Sequence, residues 1–252
     1  MRRTVWEHLL GVRQRRGAGY LTLLDPDRLG LDELEERAAA CAEAGADAIL
    51  VGTSLSMVVD HSVVYERIKR VVEIPVITFP GSGSHVSPLA DAILFLSVVS
   101  GRNPELLIGE HVRTAPLLRR CGVEVISTAY MLIESGTLTS VQFMSNTLPI
   151  PRHKPDIAIA HALAAEYIGM KLLYLEAGSG AALPVSDEMI SAVAGHVSMP
   201  VVAGGGIRAP QAARAKVEAG ASFVVTGNAV EDRRTAPLTL LREMSAAVHV
   251  GE

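Results

Sequence analysis

The sequence predicts an α/β protein, a modified TIM (β/α)8 barrel whose third crossover helix is replaced by an irregular segment. Three observations carry this expectation. Eight short, apolar, β-branched runs punctuate the chain. Alanine- and glutamate-rich segments with helical spacing separate most of them, and strands alternating with helices in this way build βαβ units and a parallel sheet. The length of 252 residues suits one such barrel, which takes about 250 residues.

The runs in order are GYLTLLDP, DAILVGTS, PVITFPGSG, DAILFLSVVSG, EVISTAYMLIE, KLLYLEAGSG, PVVAGGGI and SFVVTGNAV. Their near-continuous apolar character fits strands covered on both faces. Helical spacing is clear in LDELEERAAACAEAG, HSVVYERIKRVV, DIAIAHALAAEYIG and APQAARAKVEAG. EAGADAILVGTS and EAGASFVVTGNA form an internal echo, with Gly45 and Gly220 placed to end a helix at C′. After the third run, SHVSPLA is too short and proline-broken for a full crossover helix, so a loop or helix fragment is expected. Between the fourth and fifth runs, Asn103 is placed as an N-cap with Pro104 at N1. No linker or composition shift divides the chain, so 1–252 reads as a single domain.

The net charge of −4 gives no basic field, which argues against a nucleic-acid partner. The run RQRR reads as a solvated helix end. Cys41 and Cys121 lack CxxC spacing and read as small hydrophobes in a reducing compartment. No signal peptide or bilayer-length apolar run is evident, so a soluble, cytoplasmic protein is expected. The eight histidines show no HxH or HExxH spacing, and neither GxGxxG nor GxxxxGK[ST] occurs. Zinc, dinucleotide and P-loop chemistry are therefore not indicated. GSGSH imitates a nucleophile elbow, but a proline follows where a helix should begin, so a loop is expected.

Active sites of this fold lie at the C-terminal strand ends. The tips carry Asp25, Asp27, Thr53, Ser54, Ser82 to Ser84, Thr128, Tyr130, Tyr174, Glu176 and three glycine-rich turns. Gly178, Ser179 and Gly180, then Gly204, Gly205 and Gly206, then Gly227 and Asn228, follow the last three strands. Backbone N–H groups there can approach an anion closely, so a phosphate-bearing ligand is expected. Glu176 beside that site would accept the proton of a hydroxyl on the same ligand, with Tyr174 on the same strand face. The bland alternative is a Glu held by a nearby Arg. Asp25, stopped by Pro26, and Ser54 on the next strand offer hard oxygens to a Mg²⁺ that keeps waters and substrate phosphates. Asp27 reads as a helix-start acid or N-cap instead. A phosphate site facing a candidate metal site asks for two phosphorylated substrates.

The segments LTLLDPD, DAILVGTS, FPGS, VQFMSNTLPIPRHKP, YLEAGSGA, VVAGGGIR and VTGN together resemble the geranylgeranylglyceryl phosphate synthase family, with its bacterial PcrB-type relatives. The likeness spans nearly the whole chain, with YLEAGSG and SNTxPIP its specific part, and the SNTxPIP stretch is similar to the family's second branch. The resemblance implies a Mg²⁺-dependent prenyltransferase joining the C3 hydroxyl of sn-glycerol 1-phosphate to a polyprenyl diphosphate, with geranylgeranyl diphosphate the expected donor. It assigns glycerol phosphate binding to Tyr174, Leu175, Glu176, Ala177, Gly178, Ser179, Gly180, Gly204, Gly205, Gly206, Gly227 and Asn228. Glu176 would be the base, and Asp25 with Ser54 would hold Mg²⁺. Thr53 stands where many members carry glycine, which leaves Thr53 or Ser54 as the hydroxyl ligand. A homo-oligomer (dimer or hexamer) and a transient membrane-surface contact are implied as well. Ala129, Met131, Phe143 and the region 76–100 are candidates for the prenyl groove. The alternatives are a sugar-phosphate isomerase, which wants paired acids on the first and fifth strand tips, and a silent phospholigand-binding barrel. DDxxD is absent, so prenyl-chain elongation is not expected.

Overall fold

In the computed structural model, which describes residues 4–57, 60–231 and 237–251, helix α1 (Val5–Arg16) precedes the barrel and closes its base. Thr4 Oγ1 accepts from the Glu7 N–H at 3.1 Å and the Glu7 carboxylate accepts from the Thr4 N–H at 3.0 Å. This reciprocal pair satisfies two amides that every helix start leaves open. The Val5 and Trp6 amides donate to the Glu124 carboxylate at the foot of the fifth strand, 2.6 and 2.9 Å away. Val5 and Leu9 join the core inside the barrel. At the other end of α1, Arg13 and Arg15 are solvated as expected, whereas Arg16 reaches Asp47 at 3.0 Å.

All eight apolar runs are strands. β1 (Gly19–Leu24), β2 (Ala48–Val51), β3 (Val76–Thr78), β4 (Ala92–Val98), β5 (Glu124–Leu132), β6 (Leu172–Glu176), β7 (Val201–Gly204) and β8 (Phe223–Thr226) form a closed barrel in chain order. Every pair is parallel, including β8 with β1. Alternate residues serve two cores. Leu21, Leu50, Ile77, Leu94 and Phe223 fill the interior, while Ile49, Leu173, Leu175 and Val224 pack outward on the helix layer. Both faces are covered, which is why the strands read as unbroken apolar runs.

The outer elements are α2 (Leu31–Glu43), α3 (His61–Lys69), α4 (Glu110–Cys121), the short α5 (Ser140–Ser145), α6 (Pro155–Tyr167), α7 (Asp187–Ala194), α8 (Pro210–Glu218), the four-residue α9 (Asn228–Glu231) and α10 (Leu238–Val248). Gly45 and Gly220 end α2 and α8 in left-handed conformations, φ 96° and 109°. Between β3 and β4 the chain makes only a 3-10 turn at Gly83–His85, so GSGSH is a turn and no crossover helix forms. Ile93 and Phe95, on the outward face of β4, therefore border a cavity. Before α4, Asn103 Oδ1 accepts from the Glu105 N–H at 3.1 Å, as a cap should. The first turn after it, Glu105–Gly109, is wound as a π-helix.

Two expected placements change. Asp27 caps no helix: its carboxylate accepts from the Met57 N–H at 3.0 Å and pins the loop after β2. The α2 start is closed by Glu33 accepting from the Gly30 N–H, 3.2 Å. Thr128 lies buried mid-strand, donating to the Ile126 carbonyl, because β5 runs on to Leu132. Among the described residues, no helix is long and apolar enough to cross a membrane.

Candidate active site

A cavity of about 350 Å³ opens where the strands end, within the size range of small-molecule sites. Asp25, Thr53, Ser54, Tyr174, Glu176, Ser179, Gly180, Gly205, Gly206, Gly227 and Asn228 all border it. The barrel thus gathers residues from both ends of the chain around one space.

β6 alternates, so Tyr174 and Glu176 turn toward the mouth while Leu173 and Leu175 turn to the helices. Glu176 is 5% exposed. Burial pushes its carboxyl up to about 7, opposed by bonds from the Gly178 N–H and Tyr174. Gly178 donates to Glu176 Oε1 at 2.5 Å. The buried Tyr174 hydroxyl, beside Glu176, has no partner of good geometry, an orphan that a bound polar group would satisfy. Among the described residues no arginine pairs with Glu176, which accepts from the Gly178 amide.

The glycines of the seventh tip answer to these two side chains. A Cβ on Gly204 would lie 2.4 Å from the Tyr174 hydroxyl, and one on Gly205, where φ is +82°, 2.4 Å from Glu176 Oε1. Three aromatic rings line the site beneath the acid. Tyr174 stands 5.3 Å from Phe79 and 5.6 Å from Tyr130, centroid to centroid, and Phe79 stands 6.2 Å from Tyr130. The chain has one Trp, five Tyr and four Phe, so three of its few aromatics meet at one point.

The sixth and eighth loops are tied together. Ser179 Oγ and the Gly180 N–H both donate to Asn228 Oδ1, at 3.1 and 3.2 Å. Arg208 borders the cavity and donates to the Ala181 carbonyl at 2.8 Å. Several residues expected to face a ligand stand behind this wall. Leu175 is fully buried in the outer core, the Ala177 N–H is spent on the Gly204 carbonyl at 3.0 Å, and the Gly178 N–H is spent on Glu176. Neither these three residues nor Gly204 borders the cavity. Ala129 and Met131 are likewise buried in the outer core, and Phe143 is 73% exposed, so none lines an apolar groove. Within 76–100, Phe79, Ile93, Phe95, Leu96 and Val98 do.

On the opposite side, burial raises the pKa of Asp25, offset by the Asp27 N–H, Arg28 and a hydrogen bond from Thr53. Thr53 therefore touches the acid, while Ser54 borders the cavity beside it. Among the described residues, no three His, Cys, Asp or Glu side chains gather to hold a metal. A cation at Asp25 would take one carboxylate and a hydroxyl and rely on waters and phosphate oxygens, a donor set that fits Mg²⁺. Sequence reasoning passed over Arg28 and Glu231. The Asp25 N–H donates to Glu231 Oε1 at 3.0 Å, and Arg28 lies 3.4 Å from Asp25 and 3.5 Å from Glu231. Arg28 adjoins the quoted DPD run; Glu231 had no signal beyond its place just after the eighth tip. His61 and His85 were also passed over. Their rings lie 4.8 Å apart, and the Gly81 N–H donates to His85 Nδ1 at 3.1 Å. Burial lowers His85 to about 4, so it is a neutral brace for the third crossover.

Residues 11–246 match the PcrB family. The chain belongs to the PcrB family. Geranylgeranylglyceryl phosphate synthase of Chitinophaga pinensis is 43% identical over 249 residues, covering 99% of this chain and 97% of that one. The synthase of Thermococcus kodakarensis is 46% identical over 215 residues, 84% of each. A crystal structure of (S)-3-O-geranylgeranylglyceryl phosphate synthase from Thermoplasma acidophilum, in complex with its substrate sn-glycerol-1-phosphate, superposes with a TM-score of 0.91 at 34% identity over 98% of both chains. This PcrB-family chain is accordingly an enzyme, a prenyltransferase of the geranylgeranylglyceryl phosphate synthase kind.

Proposed function

We propose that the chain joins the C3 hydroxyl of sn-glycerol 1-phosphate to a polyprenyl diphosphate, geranylgeranyl diphosphate being the expected donor, with Mg²⁺ as cofactor. The observation that carries the reading is Glu176, a buried acid with its carboxyl near neutrality, set at the end of β6 on the same cavity as Ser179 and Gly180 of the turn that follows. Glycerol phosphate would sit with its phosphate on Ser179, Gly180, Gly205, Gly206, Gly227 and Asn228. The C3 oxygen attacks C1 of the prenyl chain, the C1–O bond to diphosphate breaks, and the hydroxyl proton passes to Glu176. Diphosphate leaves with the electron pair of that bond. Mg²⁺, when bound at Asp25 with Thr53 or Ser54, supplies charge neutralisation for this leaving group. Phe79, Tyr130 and Tyr174 present ring faces to the positive charge that develops on the allylic carbon. Both tyrosine hydroxyls stay neutral, their pKa raised by burial.

The apolar tail has a place to go. Phe95, Leu96, Leu106, Val141 and Met144 line the cavity where the third crossover lacks its helix. Leu138, Phe143 and Leu148, 69%, 73% and 85% exposed near the barrel top, suit a transient contact with a lipid surface during product release. A homo-oligomer, dimer or hexamer, is part of the same proposal, and light scattering would measure it. The isomerase alternative asks for an acid on the fifth strand tip, but the register partner of Glu176 on β5 is Leu132. A silent barrel would have no need of a poised Glu176.

The deciding experiment incubates the protein with Mg²⁺, labelled sn-glycerol 1-phosphate and prenyl diphosphates of increasing length, followed by extraction into organic solvent. Label in the organic phase is expected, and the best donor is read from the series. Binding of glycerol phosphate with no transfer from any donor would overturn the transferase reading.

A further inference from the structure

Helix α9 is four residues long and carries one residue for each half of the site. Asn228 accepts from Ser179 and Gly180 on the phosphate side. Glu231, three residues on, accepts from the Asp25 amide at 3.0 Å on the cation side. Arg28 spans the two halves. Its Nη2 donates to Ser179 Oγ at 3.1 Å, its Nε lies 3.4 Å from Asp25 Oδ2, and its Nη1 lies 3.5 Å from Glu231 Oε2. The Ser179 contact is an ordinary hydrogen bond, whereas the two carboxylate contacts are long for one. Among the described residues, two carboxylates, the partly buried Asp25 and the buried Glu231, here face one guanidinium.

We propose that Arg28 is a positioning residue that couples the two half-sites, so that a divalent cation at Asp25 tightens the binding of glycerol phosphate. This rests on the function proposed above and names the device by which its two substrates are read together. Without the cation, Arg28 is the counter-ion of Asp25 and Glu231. A cation on Asp25 takes over that charge, and the guanidinium, still tethered by Glu231, turns its remaining donors across Ser179 to the phosphate. Its planar fork of five donors can serve a carboxylate and a phosphate together, which a lysine cannot. Coupling of this kind is reciprocal, so glycerol phosphate tightens cation binding by the same factor.

The test is calorimetric titration of sn-glycerol 1-phosphate into the protein with and without MgCl₂, with no prenyl donor present, so nothing turns over. Wild type should bind about 5-fold or more tightly with Mg²⁺, the lower end of usual coupling energies. Arg28→Gln should bind equally with and without it. The Arg28 side chain is 44% exposed, so the variant should fold; thermal unfolding checks this, and Arg28→Lys, which keeps the charge and loses the fork, gives a second variant with reduced coupling. Equal Mg²⁺ enhancement in wild type and Arg28→Gln, or none in wild type, overturns the proposal while leaving the transferase reading intact. Failure of wild type to bind glycerol phosphate under either condition overturns both.

Discussion

Gly205 and Glu176 face each other so closely that a Cβ on the glycine would lie 2.4 Å from Glu176 Oε1 and 2.6 Å from the Gly178 amide nitrogen. The second contact is backbone and cannot swing aside, and φ at Gly205 is +82°. Gly205→Ala should therefore destabilise the fold by at least about 1–2 kcal/mol from backbone strain alone and displace Glu176. Thermal unfolding gives the first effect. Turnover falling more than glycerol phosphate affinity would show the second.

Glu176→Gln keeps shape and removes the base. Turnover should drop about 10²- to 10⁴-fold while the dissociation constant for glycerol phosphate stays within a factor of a few. Loss of binding as large as the loss of rate would remove Glu176 from the role of base.

The pH dependence has a definite sign. Burial raises the Glu176 carboxyl to about 7, so below that pH it is protonated and cannot accept a proton. Wild-type rate should climb up to pH about 7 and level off, and the climb should be absent in Glu176→Gln. Stability runs the other way. A raised folded pKa favours the protonated native state, so this contribution is fully present below the unfolded value of 4.5 and is lost as pH rises through about 7. Glu176→Gln should gain melting temperature over wild type at pH 8 and not at pH 4.

Asp25→Ala should abolish the response of activity to Mg²⁺. Thr53→Val and Ser54→Ala separate the two hydroxyls: since Thr53 bonds to Asp25, its loss should weaken Mg²⁺ dependence more. The half-saturating Mg²⁺ concentration measures both. A full Mg²⁺ response in Asp25→Ala would move the metal elsewhere.

Phe79→Leu conserves an apolar side chain and removes one ring from the aromatic wall beneath Tyr174. Loss of a cation–π contact of about 0.5–2 kcal/mol corresponds to a rate about 2- to 30-fold lower. Glycerol phosphate affinity should not change. Unchanged turnover would assign the ring to packing.

The split between what was legible and what was not follows the range of each interaction. Eight strands, four helices, the cap at Asn103 and the missing third crossover follow from apolar periodicity, proline and turn chemistry, all set within a few residues. Glu176 was legible because an acid ending an apolar run before a glycine turn is anomalous within that run. Leu175 and Ala177 were carried along by their neighbours, although strand alternation sends Leu175 outward. Asp27 misled because a helix-start acid looks the same as one that reaches across to the Met57 amide, 30 residues on.

By itself the sequence determined the barrel, the rim on which the site stands, and the glycine-rich turns that end its last three strands, because periodicity and backbone freedom are local properties. Tertiary structure alone decided that Gly204 and Gly205 make room for Tyr174 and Glu176, that Phe79, Tyr130 and Tyr174 share one wall, and that Arg28 joins Asp25, Glu231 and Ser179. Asp25 and Glu231 lie 206 positions apart, and Arg28 and Ser179 lie 151 apart. Nothing local in either segment records the other. Their meeting follows from closure of β8 onto β1, which brings the two ends of the chain side by side and sets the charges of one against those of the other.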